Sequence, residues 1–219
     1  LTMVCAMVPA AFATGGSGTL AAGESGKDPI VMYVGDMTGD KPEELFGCGE
    51  TGHTASVKYY TYFNGRLSTA STSSSYISYN QTTRRFSANN PTATTQSGKT
   101  TFGAVKVEVS CSYKDKDGTP CSFKPQEKYY KIYSKATGFT LKDENGTTLS
   151  DPLTVNGTKK IYYTLSPATA NQDLSNVTSA SDDKTVAEVS DPAEDEKGTY
   201  VTVTSVAPSA TTVVTLTAD

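Results

Sequence analysis

The chain has 219 residues, a formal net charge of -4 and 36% hydrophobic residues. That length holds one or two domains of ordinary size, and the scattered 18 Gly and 10 Pro exclude a collagen-like or wholly disordered chain. Its basic residues are dispersed, with Arg84-Arg85 the one arginine pair, so no cationic face for a nucleic-acid partner is expected.

Residues 1–13, LTMVCAMVPAAFA, carry no charge and end in Ala11-Phe12-Ala13, with small residues where signal peptidase cuts. They read as the remnant of a secretory signal peptide, too short to span a bilayer. An ordinary buried helix or strand is the alternative. Cys5 lacks the Leu and small residues that precede a lipoprotein cysteine. Residues 14–27, rich in Gly, Ser and Ala, read as a flexible linker.

From Asp28 onward, short apolar runs alternate with turn residues. They include Ile30–Val34, Val57–Phe63, Tyr76–Tyr79, Ala104–Val109 and Tyr129–Tyr133, then Gly138–Leu141, Lys160–Leu165, Val186–Val189, Tyr200–Val206 and Thr212–Thr217. Their length and their Val, Thr, Tyr and Ile content predict strands, and no stretch has helical periodicity. Many short strands with regular turns predict an all-β chain of sandwich or barrel type. Alternation points Ile161, Tyr163 and Leu165 inward on one strand and Val201 and Val203 inward on another. Residues 68–101, dominated by Ser, Thr, Asn and Ala, read either as a polar edge hairpin around Tyr76–Tyr79 or as a long loop.

Export would permit disulfides. Cys111 and Cys121 flank Asp117-Gly118, a hairpin signal, and a bridge between them is one pairing. Cys48–Cys111 is the rival, and three free thiols the third reading. Zinc is not expected, since no CxxC pair exists and His53 is the one histidine.

The residues from Ala136 onward resemble the group 2 bacterial immunoglobulin-like (Big2) family. Ala136–Leu141 is similar to that family's opening strand, and Leu153–Thr158 to its L-x-V-G-x-T turn. Leu165–Ala170 resembles its V-S-P-A-x-A step, and Val177–Val189 its V-T-W-S-S-S-D-x-S-V-A-x-V segment, with Ser179 at the Trp position. Val31–Asp36 and Ala104–Tyr113 look like parts of a more diverged earlier copy. The resemblance implies tandem immunoglobulin-like β-sandwiches, with one domain over residues 28–134 and a second over residues 135–219. It also implies a cell-surface setting, and it supplies no catalytic residue.

Catalysis through His53 would need a Ser and an Asp brought to it, and no G-x-S-x-G elbow is present, so His53 reads as a surface histidine. Glu43-Glu44 reads as a solvated turn. Asp36 with Asp40 and Asp115 with Asp117 each offer too few oxygens for calcium, and the acidic run Asp191, Glu194, Asp195 and Glu196 would attract it only weakly, so all three read as solvated turns. In Lys58–Phe63, alternation sets Tyr59 and Phe63 on one face and Tyr60 and Tyr62 on the other. Exposed beside Lys58, Tyr60 and Tyr62 could stack on a sugar or a protein; as a cross-strand ladder they would serve only the sheet. The expected protein is a secreted bacterial surface module, adhesive or a structural spacer, not an enzyme, with no cofactor and no membrane span. Its expected partner is a glycan or a host or cell-wall surface protein. A carbohydrate-binding accessory module of a larger secreted enzyme is the alternative.

Overall fold

The computed structural model describes residues 2–4, 29–38, 54–97, 99–115, 117–122, 125–149, 153–172, 174–207 and 210–218, with only the backbone at 2–4 and 153. Among them the chain is all-β, with no helix. It divides into two compact units: Gly16–Lys135, and Ala136–Asp219 together with Leu1–Gly15.

The first unit is built on β2 (Ile30–Tyr33), β3 (Thr54–Phe63), β4 (Arg66–Leu67), β9 (Ala104–Lys114), β10 (Pro120–Ser122) and β11 (Gln126–Tyr133). Their order is β2-β11-β9-β3-β4, with β10 paired to β9. β2 runs parallel to β11, and the remaining pairs are antiparallel. The turn from β3 to β4 is two residues long, and Asn64 and Gly65 both have positive φ, 51° and 73°. That is the mirror-image turn which matches the twist of paired strands, and Asn-Gly is the dipeptide that tolerates it best.

Residues 68–101, read from composition as a hairpin or a loop, contribute more than expected. They hold the β5–β6 hairpin (Ile77–Asn80 and Arg85–Ala88), β7 (Ala93–Gln96) and most of β8 (Lys99–Phe102), which pairs with β7. Ile77 and Phe86 are fully buried there and join Met32, Tyr59, Val105, Val107, Tyr130 and Ile132 in one core. Thr92, buried just before β7, is satisfied by the backbone of Ile132: its Oγ1 accepts that N–H at 2.9 Å. A polar stretch therefore hides two large apolar anchors and one fully paired threonine.

The second unit has two sheets. One runs β12 (Gly138–Lys142), β14 (Thr158–Ser166), β18 (Gly198–Ser205) and β16 (Ala187–Val189), with β17 (Ala193–Asp195) also on β18. The other runs β13 (Leu153–Thr154), β1 (Thr2–Val4), β19 (Thr211–Ala218) and β15 (Val177–Ser181). Both contribute to a single core: Leu141, Ile161, Tyr163, Leu165, Val201 and Val203 from the first, Val177, Val214, Leu216 and Ala218 from the second. The inward positions expected on β14 and β18 are those observed. Ser179 stands opposite Leu216 and donates its hydroxyl to the Ser190 carbonyl at 2.6 Å.

Within the segment read as a leader, Thr2–Val4 forms β1, antiparallel to β13 and parallel to β19. The cleavage site at Ala13 and residues 14–27 lie outside the described residues.

Candidate functional site

Tyr60 and Tyr62 stand on the outward face of the sheet in the first unit. Strand alternation sends Tyr59 into the core and Lys58, Tyr60 and Tyr62 to the other face. The register sets Tyr60 beside Lys106 and Lys106 beside Tyr129; one step along, Lys58, Glu108 and Glu127 form the next row. Glu108 and Glu127 are thus directly opposite like charges, an arrangement that costs stability unless cations intervene. Two cations do. Lys106 Nζ pairs with Glu127 Oε1, and Lys58 Nζ lies 3.8 Å from Glu108 Oε1.

Tyr60 is drawn into the same network. Lys106 Nζ sits 4.6 Å from the centre of its ring, and the Tyr60 hydroxyl donates to Glu108 Oε2 at 3.5 Å. A cation over an aromatic face is held by the ring quadrupole. Burial alone would lower the pKa of Lys106. The hydrogen-bonded Glu127 carboxylate, with Tyr129 and Glu108 beside it, overrides that effect and holds the amine above its ordinary value. Lys106 therefore stays protonated and cannot serve as a neutral nucleophile near pH 7.

Tyr60 is half-buried, but Tyr62 is only 7% exposed. The expectation of two exposed tyrosines is thereby corrected. Alternation assigns a face but not what covers it, and the outward Tyr129 and Tyr133 are buried as well.

The cysteine expectation is corrected too. The hairpin around Asp117-Gly118 forms as read, with Gly118 at φ 82° and Asp115 Oδ1 accepting the N–H groups of Asp117 and Thr119. However, Cys121 faces Tyr113 rather than Cys111. Diagonal positions on paired strands are about 7–8 Å apart, beyond the usual disulfide span of about 4.4–6.8 Å between Cα atoms. Cys121 is a free thiol, while Cys111, buried opposite Ala55, is disulfide-bonded. Cys48, His53, Glu43, Glu44 and Asp40 lie outside the described residues.

The second unit carries a cluster that the sequence reading missed. Asp195 closes the β17–β18 hairpin, and its Oδ2 accepts from Lys160 Nζ at 2.9 Å and from the Tyr162 hydroxyl at 2.8 Å. Lys160 Nζ also lies 4.0 Å from the centre of the Tyr200 ring. The Lys160 ammonium, the Lys197 N–H and the Tyr162 hydroxyl together hold the Asp195 carboxyl down at about 2, and Asp195 in turn raises Lys160. Both stay charged across ordinary pH, which makes this an ion pair and not a proton-transfer couple. The signal was available: once Ile161, Tyr163 and Val201 point inward, Lys160, Tyr162 and Tyr200 must share the opposite face.

Of the acidic residues read against calcium, Asp36, Asp115 and Asp195 accept hydrogen bonds from backbone N–H groups. Asp36 Oδ2 accepts the Tyr33 N–H at 2.9 Å and its other oxygen meets Lys135 at 3.3 Å. Among the described residues, no group of three or more His, Cys, Asp or Glu side chains is placed to hold a metal ion, and no helix is long and apolar enough to cross a membrane.

No protein-family model matches the chain, and no curated protein matches it.

Proposed function

We propose that the chain is an exported bacterial surface module of tandem immunoglobulin-like sandwiches, and that it acts as a structural spacer. The observation that carries this reading is the strand order of the second unit. Lettering β12, β14, β15, β16, β18 and β19 as A to F gives one sheet ordered A-B-E-D and a C–F pair in the other. With β13 and β17 left outside the lettering, this order is similar to the A-B-E-D sheet and the C–F pair of the constant-type immunoglobulin arrangement, which supports the reading. The first unit's order, with the first strand parallel to the last and the last paired to the one before it in the main sheet, suits the same architecture with an added C′ strand. A disulfide on Cys111 fits an oxidising compartment, and so fits export.

Spacing is favoured over ligand capture because the outward tyrosine face is already occupied by its own partners. Tyr60 is engaged by Lys106 and Glu108, and Tyr62 is buried. The carbohydrate-binding alternative rests on the part of Tyr60 that solvent reaches. The test is binding of the whole chain, beside its Tyr60→Ala variant, to a glycan array, to mucin and to matrix proteins. A spacer binds none of them. Binding abolished in the variant would replace this reading with the carbohydrate-binding one. Binding unaffected by the variant would make the chain an adhesin acting through another surface.

A further inference from the structure

Three asparagines precede glycine: Asn64-Gly65 between β3 and β4, Asn145-Gly146 after β12, and Asn156-Gly157 between β13 and β14. Every other asparagine precedes a residue with a side chain. A glycine after asparagine leaves the side-chain amide carbon open to attack by the next backbone nitrogen, because no Cβ hinders the approach. All six residues of these pairs are exposed, and a Cβ built on each of the three glycines would meet nothing within 4 Å. Exposure and space therefore do not separate the three sites, but the attacking nitrogen does. The Gly146 N–H donates to the Asp143 carbonyl at 3.0 Å, while Asp143 Oδ1 accepts the N–H groups of Asn145 and Thr147, both at 2.9 Å. The Asp143 N–H donates to the Thr147 carbonyl at 2.9 Å and closes the turn. The N–H groups of Gly65 and Gly157 have no acceptor among the described residues.

We propose that Asn64 and Asn156 are sites of spontaneous modification, in which the side-chain amide is lost through a cyclic imide, and that the Asp143 turn spares Asn145. The glycine nitrogen gives its proton to hydroxide and forms a bond to the asparagine Cγ. The Cγ–Nδ2 bond breaks, and ammonia leaves with a proton from solvent. Water then opens the imide at either carbonyl. One opening leaves aspartate; the other leaves isoaspartate, whose main chain runs through the former side-chain carbon. One water is consumed and one ammonia released, with no oxidant, reductant or enzyme. Each event adds one negative charge to a chain already at -4. At Asn64 the aspartate product keeps the two-residue turn, since Asp-Gly suits it as well. The isoaspartate product lengthens the main chain within that turn and disturbs the pairing of Phe63 with Arg66. At Asn145 the Gly146 nitrogen must first leave the Asp143 carbonyl, which slows attack by about five- to tenfold.

The test incubates the whole chain at mildly alkaline pH, folded in buffer and unfolded in guanidinium chloride. Peptide mass spectrometry follows the exchange of amide for carboxyl at each site over time, and enzymatic methylation reports isoaspartate. Asn145 and Asn156 share the tripeptide Asn-Gly-Thr, so a difference between them in the folded chain is set by structure. The expected result is loss of amide at Asn64 and Asn156 about five- to tenfold faster than at Asn145 in the folded chain. In the unfolded chain the rates at Asn145 and Asn156 should converge. Equal rates at these two sites in the folded chain overturn the proposal. So does a difference between them that survives unfolding, or intact amides at Asn64 and Asn156 after the unfolded chain has lost its own.

Discussion

Tyr130 sits fully buried on β11, its ring 5.9 Å from that of Phe86, and its hydroxyl has no hydrogen-bond partner among the described residues. A buried unsatisfied hydroxyl costs about 1–3 kcal/mol. Tyr130→Phe removes the hydroxyl and keeps the ring, so the first unit should gain about 1–2 kcal/mol at pH 7. The same burial pushes the hydroxyl's pKa well above its ordinary value of about 10, because the phenolate would be stranded in apolar surroundings. The folded state thus keeps a proton that the unfolded state releases. The resulting stability is fully present below the unfolded value and is lost as pH rises from there towards the folded value. Across that window the parent chain should lose about 1.4 kcal/mol per pH unit relative to the variant. Urea unfolding of both chains at pH 7, 10, 11 and 12 measures the gap, which should open above pH 10 in favour of Tyr130→Phe. A variant less stable than the parent at pH 7 would mean that the hydroxyl has a partner. A gap independent of pH would mean that it titrates as it does in water. Either result refutes the reasoning.

Other consequences are as direct. Tyr62→Ala should cost about 3–5 kcal/mol, because it empties a buried aromatic site. Tyr60→Ala should cost about 1 kcal/mol, mainly through the lost cation–ring contact, and thermal melts of the two variants should separate accordingly. Gly103→Ala would drive a Cβ into the Tyr62 carbonyl and the Phe63 ring. Since the backbone oxygen cannot swing aside, a loss of about 1–3 kcal/mol is expected in urea. In the folded, unreduced protein a maleimide should label Cys121 and spare Cys111. Peptide mapping without reductant should then recover Cys111 in a disulfide that excludes Cys121, and a Cys111–Cys121 peptide would contradict the strand register.

Much of the strand content was legible in the sequence because period-two alternation is a local signal. Ile161, Tyr163 and Leu165 are inward as read, and Asn64-Gly65 makes the turn its dipeptide specifies. What sequence could not give is what lies across the sheet or over it. Tyr62 is outward by alternation yet buried, and Cys121 is near Cys111 in sequence yet faces Tyr113. Composition also misled for residues 68–101, where Ile77 and Phe86 are isolated among polar residues but form part of the core. The ion pair of Lys160 and Asp195 joins residues 35 apart, a contact made only by the pairing of β14, β18 and β17. The acidic run Asp191–Glu196, read only for calcium, holds the strand β17 whose hairpin with β18 delivers Asp195 to it.

The central claim, that this chain is an exported surface module, is tested most directly on intact cells of the producing organism. An antibody raised against the purified chain is applied before and after permeabilisation. The account predicts the full signal on intact cells, and its loss after brief external protease treatment. A signal that emerges only after permeabilisation, undiminished by the protease, would contradict it.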